Sequence, residues 1–239
     1  MAKKKVEPEV VLDPKQVPSK AVLFELENFA VKGRQVVHDV LKKAFADKDI
    51  DLTLEMFSKY CTHPSAKHFL PMMLKANSKA KLSEAKLLPE ITEKITAVFT
   101  GNSLKMDPGL SRLIKAIEGE GIVLAALSCL ADETARQVAA RIGLVDSGVT
   151  LVSYASHEKN FPSADAWLKL AKKISVVPSL CVVIATSSVS CKAALSAGMR
   201  CIVVPDKYTA FQDFGGADVV TDDFDDNAIK HILELLKAD

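Results

Sequence analysis

Apolar residues recur along this chain with two different periods, and the change of period divides it. Ala21-Val22-Leu23-Phe24 is a short unbroken apolar run that ends on Glu25-Leu26-Glu27-Asn28. That is the pattern of a buried strand delivering polar side chains at its C-terminal end. The period then lengthens. Val36, Val37, Val40, Leu41, Ala44 and Phe45 recur at helical spacing, and further helical pieces continue to about Phe99 with no convincing strand. Asp107-Pro108-Gly109-Leu110 is a helix start, since proline is tolerated in the first turn. The helix over 110–118 stops at Gly119, and 121–127 reads as a fully buried strand.

From there strands and helices alternate. A helix over 132–141 is followed by a strand over 149–154. Next comes a helix over 164–174, with Trp167, Leu168, Ala171 and Ile174 on one face. A strand over 181–184, a helix through 193–197 and a strand over 201–204 follow. A short strand near Val219-Val220 and a final helix over 226–236 complete the series. Such alternation predicts an α/β fold, a doubly wound parallel sheet covered on both faces, with an all-helical stretch inserted after the first strand. In these sheets the ligand crevice lies at the carboxyl ends of the strands. Those ends are 25–28, Ser128, 156–159 and 185–188, the places to look for chemistry.

Composition narrows the class. With 49% hydrophobic residues in 239, a substantial core is expected and wholesale disorder is not. The 31 basic and 30 acidic residues nearly cancel, which argues against a nucleic-acid surface. The balance is uneven, however: 32–105 carries 13 Lys/Arg against 8 Asp/Glu, and 206–239 carries 3 against 9. A lysine-rich solvated helical module beside an acidic C-terminal segment accounts for this without a special partner. The five cysteines (Cys61, Cys129, Cys181, Cys191, Cys201) show no Cys-x-x-Cys spacing and sit mostly in apolar runs. Buried free thiols in a reducing, cytoplasmic setting are the expectation. No apolar stretch reaches the length of a membrane span, and Met1-Ala2-Lys3-Lys4-Lys5 leads into Val6-Glu7-Pro8 rather than a signal sequence. Residues 1–20, with three prolines and mixed charge, read as a loosely draped arm.

One longer pattern is more specific. Cys181-Val182-Val183-Ile184-Ala185-Thr186-Ser187 runs through Lys192-Ala193-Ala194-Leu195-Ser196-Ala197-Gly198-Met199-Arg200-Cys201-Ile202-Val203-Val204-Pro205. Phe211-Gln212-Asp213, Gly216-Ala217-Asp218 and the earlier Asp107-Pro108-Gly109 accompany it. Together these resemble the haloacid dehalogenase superfamily, in its β-phosphoglucomutase-like branch with a helical cap, over residues 20–236 or so. The resemblance implies a core formed by 21–32 and 105–239, and a helical cap over 33–104. It also implies chemistry: an aspartate attacks a phosphate, and the aspartyl-phosphate is resolved by water or a second substrate. In the family the first strand ends in Asp-x-Asp, nucleophile and acid/base. A Ser/Thr after the second strand and a Lys bind phosphate, and an acidic pair after the fourth strand completes a magnesium site.

Carried over residue by residue, the pattern departs where the chemistry lies. Glu25 stands at the nucleophile position and Glu27 at the acid/base position. Ser128 matches the phosphate-binding hydroxyl, and Lys159 stands nearest to the family Lys, within an altered Lys159-Asn160-Phe161-Pro162-Ser163-Ala164-Asp165. Ala185 and Thr186 replace the acidic pair, so that Glu25 and Thr186 are what remains for a metal. Asp to Glu displaces a carboxylate by about 1–1.5 Å, and misplacement of that order costs about 100-fold in rate. Magnesium demands near-octahedral oxygens and carboxylate charge, and without it a carboxylate has little to offset its repulsion from a phosphate dianion.

Each residue also has a plainer reading. Glu25 and Glu27 are either an active carboxylate pair or polar residues inherited at a strand end. Ser128 either binds phosphate or caps the next helix, and Thr186-Ser187-Ser188 either holds an anion or caps a helix. Cys129 at a helix start is expected to be inert. Cys61, His63 and His68 do not assemble a four-ligand zinc set. Lys75, Lys79, Lys81 and Lys86 either steer an anion or simply solubilise. There is no Gly-x-Gly-x-x-Gly, no Gly-Lys-Ser/Thr loop and no Gly-x-Ser-x-Gly elbow.

The expectation is therefore a haloacid-dehalogenase-like, phosphatase- or phosphomutase-type protein with a degenerate, inactive site. It would need no cofactor and keep a crevice for a small phosphorylated or anionic molecule or a protein partner, with no nucleic acid and no membrane. The alternative is a divergent phosphohydrolase that uses magnesium, with Glu25 as nucleophile or metal ligand.

Overall fold

A computed structural model describes residues 20–63, 65–76, 82–154 and 161–237. The sequence-predicted arm over 1–20 falls outside these residues save for Lys20. Strand β1 (Lys20–Glu25) is followed by helices α1 (Gly33–Ala46), α2 (Leu54–Tyr60), α3 (Ala66–Ala76) and α4 (Glu84–Phe99). The alternating part then begins with α5 (Pro108–Ala116), β2 (Ile122–Ser128), α6 (Asp132–Arg141) and β3 (Thr150–Ser153). It continues with α7 (Ala164–Lys173), β4 (Cys181–Ala185), α8 (Ser188–Ser196), β5 (Arg200–Val203), β6 (Val219–Val220) and α9 (Asp226–Lys237).

The sheet has six parallel strands in the order β3-β2-β1-β4-β5-β6. Alternation along each strand splits the core into two layers. Val22, Phe24, Leu124, Ala126, Val182 and Ile184 face one side, and Ala21, Leu23, Ala125, Leu127, Val183 and Ala185 the other. The fold is the doubly wound α/β core that the strand–helix alternation predicts. Chain order reverses across β1, with β2 and β3 on one flank and β4 to β6 on the other. Loops leaving β1 and β4 therefore diverge, and a crevice opens at their carboxyl ends.

Local chemistry fixes the element ends. Asp107 accepts the Gly109 N–H at 2.8 Å with Pro108 in the first turn of α5, and Thr53 and Ser163 cap α2 and α7 in the same way. One sequence-predicted face needs correction. In α7 Leu168 points to solvent at 40% exposure, while Leu170 joins Trp167, Ala171 and Ile174 inside. Position 170 lies three residues from 167 and four from 174, the spacing that stays on one face. The four helices after β1 bury Leu41, Phe45, Phe57, Phe69, Leu70, Met73 and Ile91 among themselves, in a cluster continuous with the Phe24 face of the sheet. Among the described residues no helix is long and apolar enough to cross a membrane.

Candidate functional site

Strand β1 ends on Glu25 and passes directly into a single π-helical turn, Leu26–Ala30. This turn brings a second carboxylate, Glu27, back against the sheet. It packs so tightly on the start of α1 that a Cβ on Gly33 would lie 2.0 Å from the Glu27 carbonyl oxygen. Only glycine leaves room there.

Glu25 and Glu27 are each 2% exposed, yet their surroundings differ. Glu27 Oε1 accepts hydrogen bonds from the Ser128 hydroxyl, from the Cys129 N–H at 3.2 Å and from the Leu130 N–H at 3.4 Å. Burial pushes the Glu27 carboxyl up to about 7; the Ser128 bond opposes this, and the neighbouring Glu25 charge adds to it. Three donors converging after a strand form an anion seat. Its occupant here is the chain's own carboxylate. The cap role weighed for Ser128 does not hold: α6 begins at Asp132, and its N-cap residue, Ala131, offers no side chain. Ser128 Oγ instead accepts the Leu130 N–H at 3.1 Å. The Cys129 thiol is held well above its ordinary value by burial and then by the Glu27 and Glu25 charges, in keeping with an inert thiol.

Glu25 lies on the other side of the turn. Asn28 Nδ2 donates to its Oε2 at 2.9 Å, and the Thr186 hydroxyl donates to its Oε1 at 3.3 Å. Thr186 follows β4, which carries Ala185 into the core as a buried methyl. Ser187 Oγ accepts the Ser190 N–H at 3.3 Å and caps α8, the plainer of the two roles weighed for the hydroxyl-rich turn.

The residue that the sequence reading missed is Arg34, in the first turn of α1 and 5% exposed. Its Nη2 donates to Thr186 Oγ1 at 3.1 Å, and its Nη1 to the Thr186 carbonyl at 3.3 Å and Asp206 Oδ2 at 3.0 Å. Asp206 follows β5, and its Oδ1 accepts the Tyr208 N–H at 2.8 Å. Positive charge thus reaches Glu25 through a single hydroxyl. The signal was present in the sequence. Arg34 shares a face with Val37 and Leu41, an apolar stripe, and sits at the helix end where the macrodipole disfavours a cation.

A cavity of about 550 Å³ opens between these strand ends and helices α2 and α3. Arg34, Lys59, Lys67, His63 and His68 line it, and Glu25 is the one acidic side chain among the described lining residues. Glu27, Ser128 and Thr186 do not reach this cavity. Of the four lysines weighed between steering an anion and solubilising, Lys75 and Lys86 do not line it, and Lys79 and Lys81, like the phosphate-binding candidate Lys159, lie outside the described residues.

A magnesium ion would need several oxygens with carboxylate charge around it. Glu25 offers one carboxylate. Thr186 Oγ1 is already shared between Arg34 and Glu25, Ala185 offers nothing, and Asp206 is paired with Arg34. The residues present do not fit such an ion. Among the described residues no group of three or more His, Cys, Asp or Glu is placed to hold a metal.

Known proteins supply an independent view. No family model matches the chain. It is 26% identical over 216 residues to the protein CbbY of Cereibacter sphaeroides, across 85% of this chain and 92% of that protein. In structure it resembles a CbbY variant from Rhodobacter sphaeroides in complex with xylulose-1,5-bisphosphate. The TM-score is 0.72 at 23% identity, over 86% of this chain and 95% of the other. It also resembles the β-phosphoglucomutase of Clostridium difficile, with TM-score 0.72 at 19% identity over 91% and 97% of the two chains.

Proposed function

Because this chain is a protein of the haloacid dehalogenase superfamily, in its β-phosphoglucomutase-like branch, we propose that it keeps the family's crevice for a small phosphorylated molecule and has lost the family's phosphoryl transfer. Residues 33–104 act as a helical cap over the core formed by 21–32 and 105–239, in a reducing cytoplasm. The relatives bear on the ligand class, since one of them is seen with a sugar bisphosphate bound.

One observation carries the loss of catalysis. Both carboxylates at the head of the site are already engaged by the protein's own groups. Glu27 fills the seat made by Ser128, Cys129 and Leu130, and Glu25 is held by Asn28 and Thr186. A nucleophile must be free to reach phosphorus, and an acid/base group must face the leaving oxygen. Glu27 does not line the cavity in which such a ligand would sit. The residues around Glu25 do not fit a metal ion that could offset its repulsion from a phosphate dianion, since Thr186 and Asp206 are already engaged by Arg34.

The competing reading is a magnesium-dependent hydrolase with Glu25 as nucleophile, and it draws on the place of Glu25 in the cavity wall. A screen of phosphorylated small molecules with magnesium, run on wild type beside Glu25→Ala, separates the two. The expected result is no turnover above background in either protein. Turnover in wild type that Glu25→Ala abolishes would establish the hydrolase.

A further inference from the structure

The misfit of a metal to this site has a counterpart in what the site does contain. We propose that Arg34 is the resident cation of the crevice, and that the protein binds a phosphorylated anion without any divalent metal; this rests on the ligand-binding crevice proposed above.

The guanidinium is 5% exposed, lines the cavity, and has a buried Nε with no partner among the described residues. An arginine at the start of a helix and on its buried stripe is costly unless its charge is used. The local pairing does not account for it. Asp206 is more than a third exposed on its side chain and gives Arg34 one oxygen, while its other oxygen binds the Tyr208 N–H. The remaining contacts of the guanidinium are to neutral oxygens of Thr186. Through the Thr186 hydroxyl the charge is carried towards Glu25, on the side of the site where the cavity begins.

The wall beyond continues the same sign. Lys59 and Lys67 stand across the cavity on α2 and α3, with His63 and His68 between and beside them. Arginine keeps its charge at any pH the fold survives, and its planar fork matches phosphate oxygens. The Ser128 seat is closed by Glu27, so the anion is directed to the Arg34 side of the turn. The fixed guanidinium does there what an exchangeable divalent ion does at other phosphate sites: it neutralises the ligand and the nearby carboxylate together.

The test is calorimetric titration of inorganic phosphate into the full-length wild type, in excess EDTA and again with magnesium, followed by magnesium alone. Phosphate is expected to bind in EDTA with an affinity that magnesium changes less than about twofold, and magnesium alone gives no heat. Arg34→Met should weaken phosphate at least about tenfold, and Thr186→Asp, which neutralises the guanidinium without removing it, should do the same. Unchanged phosphate affinity in either variant, with a wild-type-like melt, overturns the assignment. If Arg34→Met does not fold, the wild-type titrations and Thr186→Asp still decide. Binding that appears only with magnesium overturns the resident cation and leaves the crevice standing. Absence of phosphate binding in both conditions overturns both.

Discussion

The two faces of one π-helical turn show how little separates an occupied site from an open one. Glu25 and Glu27 are the same side chain, two positions apart and equally hidden from solvent. Glu27 turns inward to a hydroxyl and two backbone N–H groups, where burial dominates and its proton is held towards neutral pH. Glu25 turns to a cavity wall, where an amide and a hydroxyl hold it and a guanidinium lies one bond further on. Residue type therefore does not set the role. The donors that the fold brings to each carboxylate set it: those of Glu27 come from the end of β2 and the residues after it, and those of Glu25 from the turn itself and from the residue after β4.

The comparison breaks most readily at Glu27. Glu27→Ala opens a cavity and strands three donors, which should cost about 3–4 kcal/mol in urea unfolding. Glu25→Ala, beside the open cavity, should cost about 1 kcal/mol. Equal losses would mean the two environments are not different in kind.

The second effect is a pH dependence. The folded-state value of Glu27, about 7, lies above its ordinary 4.5, so the folded state favours the protonated form. The stabilisation is complete below about pH 4.5 and is lost as pH rises through about 7. A rise of this size corresponds to about 3 kcal/mol at most. Melts of wild type and Glu27→Gln across that range should show wild type losing ground to the variant, then running parallel at higher pH. A constant gap throughout would place the carboxylate in a far more polar setting than the one described.

Next comes Gly33→Ala, whose methyl would meet the Glu27 carbonyl. Separating the turn from α1 should cost about 2 kcal/mol, read as a lower melting temperature, and it should weaken both halves of the site. The smallest effect is expected of Thr186→Val, which keeps the shape and removes the hydroxyl between Arg34 and Glu25. About 1 kcal/mol is expected in the same melts, and a larger loss would mean the relay carries more of the structure than its two bonds imply.

The sheet could be read from the sequence because its signals are local. Runs such as 121–127 and 181–184 are apolar throughout, as strands buried on both faces must be, and Gly119, Gly143 and Gly198 mark helix ends with positive φ. The Leu168 error arose within one helical turn, where neighbouring leucines compete for the same face. The site was less legible. Glu25, Ser128 and Thr186 were found because strand ends are where sheets expose polar groups. The closure of the Ser128 seat depends on a contact between positions 27 and 128, and the arginine contact spans 34 and 186. No periodicity encodes such pairings. A lone arginine in an apolar stripe was the one visible sign, and it invites a search for the anion that justifies it.

Arg34 ties together three stretches of chain far apart in sequence: the first turn of α1, the end of β4 and the loop after β5. That arrangement acts as a ratchet on further evolution. An aspartate arising at position 186 would form a paired fork with the arginine rather than a vacant ligand for a cation. A metal site built on an acidic residue at position 186 would therefore require position 34 to change first, and that change leaves Asp206 without the partner it has now.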